Sequence, residues 1–133
     1  MKKLMQKSRT RQELLDNTVR HFNSTNRSFR DGNSSLCLYR SKCGYGCAIG
    51  REISDKLAKE LDLRFSSLLP DVFTELPLRL RLLGVKFLEE IQFLHDSLEH
   101  WDEVGLSNLG RENVDRICEK FQLKNPAEVS DQN

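Results

Sequence analysis

The sequence predicts a mainly α (α+β) fold, with about five helices packed around a small β-hairpin in a single compact domain. Three observations predict it. Apolar residues recur at helical spacing through much of the chain, most clearly at Phe87, Ile91, Leu94 and Leu98. Only one stretch reads as sheet: Ser28-Phe29-Arg30 and Leu36-Cys37-Leu38-Tyr39-Arg40 flank the turn residues Asp31-Gly32-Asn33. The chain has 133 residues, 38% hydrophobic and 31% charged, which suits one domain with a genuine core rather than a disordered or membrane-embedded chain.

Residues 1–9 are expected to form a basic flexible arm, and 10–123 the globular domain. Thr10-Arg11-Gln12-Glu13 matches a capping box, with the Thr hydroxyl taking an exposed amide and Glu13 reaching back. The helix that follows places Leu15, Val19 and Phe22 on one stripe. It should end near Phe22, where Asn23-Ser24-Thr25-Asn26 competes for backbone hydrogen bonds. In the expected hairpin, Leu36 and Leu38 face one side, Cys37 and Tyr39 the other, and such a hairpin must pack on helices to persist.

Ser54 is placed to cap a helix through about Leu63, with Ile53 and Ala58 as a staple and Ile53, Leu57 and Leu61 as its apolar edge. Pro70 and Pro77 each suit a first helical position, giving short pieces over 70–74 and 77–83 closed by Gly84. The longest helix is predicted from Val85 to about His100, and Trp101 extends its stripe. Gly105 breaks the chain, and Ser107 or Asn108 caps a last helix through Gln122 with Val114, Ile117, Cys118 and Phe121 inward. Asn125-Pro126 stops it, leaving 124–133 as a flexible polar tail.

No apolar run approaches the roughly 20 residues needed to span a bilayer. The basic start Met1-Lys2-Lys3-Leu4-Met5-Gln6-Lys7 has no apolar segment behind it, so no signal peptide is expected and the location predicted is cytoplasmic, without a membrane partner. The sequons at Asn23, Asn26 and Asn33 then carry no meaning. Net charge is +1 but uneven: residues 1–40 carry nine Lys/Arg against three Asp/Glu, and 41–133 carry twelve against seventeen. A basic front end suits an acidic protein or nucleic acid, and equally a solvated helical surface.

Three of the four cysteines, Cys37, Cys43 and Cys47, follow a C-x5-C-x3-C spacing. Cys43 and Cys47 could form one zinc knuckle, completed by Cys37 with His95 or Cys118, but no second knuckle exists. The expectation is therefore no metal and no cofactor. If a metal is held, its ligands are Cys37, Cys43, Cys47 and His95. Buried structural thiols are the plainer reading, and a reducing cytosol argues against disulfides. A cysteine nucleophile would need His21, His95 or His100 as base, and nothing in the spacing selects one. The glycines at 44, 46 and 50 match neither a Walker loop nor a dinucleotide fingerprint. A polar cluster at Gln92, His95, Asp96, Glu99, His100, Asp102 and Glu103 is a further candidate, with His95 and Glu99 one helical turn apart. His95 also borders the apolar stripe, where a hydrogen-bonded structural histidine is the ordinary case.

Cys37-Leu38-Tyr39-Arg40, then Cys47-Ala48-Ile49-Gly50 with Ile53 close behind, resembles a group of small bacteriophage and prophage proteins whose core reads C-x-Y-R, a Gly-containing turn, then C-A-x-G-x-x-I. The likeness continues at 80–84, Phe93-Leu94-His95-Asp96 and Phe121-Gln122-Leu123, and covers about residues 36–123; Cys43 departs from the usual pattern. The resemblance implies a phage or mobile-element origin. By analogy it suggests a non-enzymatic protein that binds a host protein, such as an inhibitor of a bacterial antiviral defence system. The partner-binding residues expected are Lys7, Arg9, Arg11, Tyr45 and Trp101, and the structural motif comprises Cys37, Tyr39, Cys47, Ile49 and Gly50. Two alternatives stay open: a nucleic-acid-binding module using Lys2, Lys3, Lys7, Arg9, Arg11 and Arg20, and a small metal- or thiol-dependent enzyme built on Cys47 and His95.

Overall fold

The computed structural model describes residues 7–23, 47–62 and 69–126. The expected class holds: the protein is mainly helical and compact, with a small antiparallel hairpin. The elements are α1 (Arg11–His21), a 3-10 turn (Gly50–Glu52), α2 (Asp55–Asp62), α3 (Leu69–Val72), a second 3-10 turn (Phe73–Glu75) and α4 (Leu78–Arg81). Then follow α5 (Val85–Asp96), a third 3-10 turn (Leu98–His100), β1 (Trp101–Asp102), β2 (Gly105–Leu106) and α6 (Asn108–Phe121). Among the described residues no helix is long and apolar enough to cross a membrane.

The caps are those the sequence signals. Thr10 Oγ1 accepts from Glu13 N at 3.0 Å, Ser54 Oγ from Leu57 N at 3.1 Å, and Ser107 Oγ from Gly110 N at 3.1 Å. The capping box differs in one respect: Glu13 Oε1 reaches past Thr10 to accept from Arg9 N at 3.4 Å. α5 packs against α1, α3 and α6, and Leu14, Leu15, Phe87, Ile91, Leu94 and Ile117 at their contacts are fully buried. Val114, Cys118 and the half-buried Phe121 face this core as expected.

The hairpin among the described residues is one the sequence did not signal. The segment 28–40 is outside the described residues, whereas the observed hairpin pairs Trp101 with Leu106 and Asp102 with Gly105. Asp102 Oδ1 accepts from Val104 N and Gly105 N at 3.0 and 3.1 Å, and Gly105 takes φ 143° to close the turn.

α5 ends at Asp96, a turn before the predicted stop. Its last carbonyls are captured by ring donors from the residues that follow. His100 Nδ1 lies 2.9 Å from Leu94 O, and Trp101 Nε1 donates to Leu94 O at 2.9 Å and His95 O at 3.2 Å. A carbonyl can only accept, so His100 carries its proton on Nδ1. These bonds satisfy carbonyls that a continuing helix would have used, and they turn the chain into the third 3-10 turn. The stripe therefore stops at Leu94, and Leu98 is 70% exposed.

Where the expected arm and tail are described, at residues 7–9 and 124–126, they are held against the body. The expected arm extends to residue 9, yet Ser8 is fully buried: its N–H donates to Glu52 Oε1 at 2.7 Å and its hydroxyl to Glu52 Oε2 at 2.9 Å. The expected tail begins at 124, yet Gln12 holds Lys124 through both amide atoms, at 2.8 Å each, and Pro126 is buried.

Candidate functional site

Of the expected structural motif, Cys47, Ile49 and Gly50 are buried, while Cys37 and Tyr39 lie outside the described residues, as do Cys43 and Tyr45. Ile49 N donates to Gln92 Oε1 at 3.0 Å, and Gly50 N to Cys47 Sγ at 3.2 Å. The turn is thus fastened to α5 by a side chain and capped by its own thiol. Burial pushes the Cys47 thiol up to about 12, with nearby Asp96 adding to the shift and hydrogen bonds from Gly50, Ile49 and Gln92 opposing it. Cys47 is a protonated thiol at neutral pH, the opposite of the depressed pKa that activates a nucleophile.

His95 is fully buried, with Nδ1 2.8 Å from Asp96 Oδ1 and Phe22 edge-on at 4.8 Å. Glu99 sits on the 3-10 turn beyond the break at Ser97, so it does not share one continuous helix with His95. Among the described residues no cluster of three or more His, Cys, Asp or Glu is arranged to hold a metal. Cys118 belongs to the α6 core face.

His21 stands at the edge of this neighbourhood, against Phe22 at 4.6 Å. Partial desolvation, then the charges of Arg51 and His95, lower its pKa from 6.5 to about 4. A histidine depressed in the fold contributes stability that is present above pH 6.5 and lost as pH falls towards 4, because the unfolded chain binds the proton first. His21→Gln should therefore flatten the decline in urea stability over that window. Parallel curves for the two proteins would remove His21 from the acid response.

At the basic end, the expected partner-binding residues separate. Lys7 and Arg9 are exposed; Lys7 Nζ donates to Arg51 O at 2.7 Å. Arg11 is drawn inward instead. Its Nε donates to Leu83 O at 2.9 Å, and its guanidinium lies 5.4 Å from the Phe87 ring and 5.0 Å from the Phe121 ring. A planar cation with a carbonyl to bond and two aromatic faces to cover stays folded against the body. Arg11→Glu should lower unfolding free energy by about 2 kcal/mol, from the lost charged hydrogen bond and cation–π contacts. Arg9→Glu should stay within about 0.5 kcal/mol. Equal small effects in urea melts would return Arg11 to the surface.

Trp101, expected as an exposed anchor, is buried: it fills the space beside Phe22 at 6.0 Å and caps α5. Besides Leu78 and Leu82 at α4, the large exposed apolar residues lie on the elements next to it. Leu98 on the 3-10 turn, Val104 at the hairpin tip (95% exposed) and Leu109 on the first turn of α6 (51%) surround one junction. There Ser107 N donates to His100 O at 2.8 Å and the Ser107 hydroxyl to Glu99 O. Phe93 (52% exposed) joins them, its ring edge-on to His100 at 5.3 Å. Glu99, Asp102, Glu103 and Glu112 are exposed on the same turns, with exposed Arg111 between Leu109 and Glu112.

The helical stripe hid this surface, because it assigned Leu98 to the core. A signal was present in the charges: residues 87–110 contain six Asp/Glu and no Lys or Arg. No protein-family model, curated protein or solved structure matches this chain.

Proposed function

We propose that this chain is a non-enzymatic, phage-type protein that acts in the bacterial cytoplasm by binding a host protein, as an inhibitor of an antiviral defence system. The observation that carries the binding reading is the exposed group Phe93, Leu98, Val104 and Leu109 at one end of the fold. Large apolar side chains gathered at an exposed junction favour a partner that removes them from water. The buried, protonated Cys47 supports a role other than thiol catalysis. The phage setting rests on the resemblance of the C-x-Y-R and C-A-x-G segments.

The test is affinity capture from bacterial cells with tagged wild-type protein and a Leu98→Ser/Val104→Ser variant, each also assayed for relief of phage restriction. Both positions are exposed, so the variant should fold. The wild type should retain a defence protein and restore plating, and the variant should retain at least about tenfold less of it. Equal retention by both, or no specific protein with either, contradicts the reading.

A further inference from the structure

We infer that the occupant of the Leu98–Val104–Leu109 surface is a basic amphipathic segment of a protein partner, with apolar side chains between lysines or arginines. This rests on the binding reading above and gives its partner a chemistry. The argument is charge complementarity. Glu99 and Glu103 are exposed beside Leu98 and Val104, and Glu112 lies one turn beyond Leu109 on α6. Asp102 adds its charge while its Oδ1 holds the turn amides. The other acid-rich spot on α5 is differently arranged. Glu90 is held by both guanidinium nitrogens of Arg116 at 2.8 Å and by Lys120 at 3.2 Å, and these partners pull its pKa down to about 2. Between Lys86 and Arg111 the sequence supplies no basic side chain, so exposed Arg111, beside Glu112, is the one cation among these four carboxylates along residues 98–112.

An apolar centre flanked by an excess of negative charge attracts a segment carrying the same apolar centre and the opposite charge. It repels nucleic acid, whose phosphates share its sign. Exposed charges within a Debye length, about 10 Å at 0.1 M salt, then speed encounter in a salt-dependent way.

The experiment titrates the full chain with a synthetic helical peptide of about 18 residues carrying a leucine face and a lysine face. Comparison probes are its lysine-to-glutamate counterpart, a scrambled peptide of the same composition, and a short DNA duplex. The lysine peptide should bind, and its affinity should fall at least about fivefold between about 50 and 300 mM salt. Glu99→Lys/Glu103→Lys and Leu98→Ser/Val104→Ser should each weaken it at least about fivefold. Trp101 is the chain's only tryptophan and is buried, so its fluorescence confirms that both variants are folded. Equal binding of the glutamate or scrambled peptide, preference for DNA, or indifference to either variant overturns the inference. The two readings fail separately. A captured host protein lost by the Leu98/Val104 variant but kept by Glu99→Lys/Glu103→Lys overturns the basic partner and leaves binding standing. Capture of nothing specific overturns binding itself.

Discussion

Gly110→Ala should destabilise the protein by about 3 kcal/mol or more, against the usual sign of that change in a helix. Replacing glycine by alanine inside a helix ordinarily stabilises by about 1 kcal/mol. Here the first turn of α6 is pressed onto the third 3-10 turn. A Cβ at Gly110 would overlap the His100 carbonyl oxygen and sit 2.9 Å from Leu106 Cδ2. The oxygen belongs to backbone fixed on both sides. His100 O accepts from Ser107 N, while the His100 ring bonds Leu94 O. Relief therefore requires α6 to lift away from the hairpin, which loosens Leu106 and the junction carrying Leu98 and Leu109. Urea unfolding followed by Trp101 fluorescence measures the loss. A stabilised or unchanged variant would mean that α6 and the 3-10 turn are further apart than described.

Glu52→Ala should cost about 3–5 kcal/mol, the range for breaking a buried ion pair by deleting one partner. Glu52 is buried with both carboxylate oxygens engaged: Oε1 accepts from Ser8 N and, at 3.1 Å, from Arg79 Nη1, and Oε2 from the Ser8 hydroxyl. Arg79 also donates to Ser8 O at 2.9 Å and to Glu52 O. Asn17 Nδ2 donates to the Ser8 hydroxyl at 2.9 Å, so the network joins the N-terminal segment, α1, the first 3-10 turn and α4. Deleting the carboxylate strands the Ser8 amide and hydroxyl and leaves the Arg79 guanidinium with backbone carbonyls but no counter-charge. Glu52→Gln keeps one acceptor oxygen and should lose roughly half as much. A change under about 1 kcal/mol for Glu52→Ala would show the network to be replaceable by water.

The helices were legible because local signals agree with burial. Thr10, Ser54 and Ser107 cap where their side chains can reach an unpaired amide, and the α5 and α6 stripes match their buried faces through Leu94 and Phe121. Long-range bonds escaped the sequence. Nothing near Ser8 announces a carboxylate 44 residues away. Arg11 reads as a surface charge until Leu83 and two phenylalanine rings are placed around it. The candidate site turned on one such case. His100 and Trp101 cap α5 through side-chain donors, which no helical period encodes. Ending α5 early folds Trp101 back over the helix end and turns Leu98 out. Tyr45, the other expected anchor, lies outside the described residues.

Hydrogen exchange of the chain bound to its captured host protein tests the central claim most directly. If the acidic–apolar surface is the interface, amide exchange should slow across the third 3-10 turn, the hairpin tip and the first turn of α6, and remain unchanged around the exposed side chains of Lys7 and Arg9. Protection confined to the N-terminal segment and α1, with residues 98–109 exchanging as in the unbound protein, would contradict it.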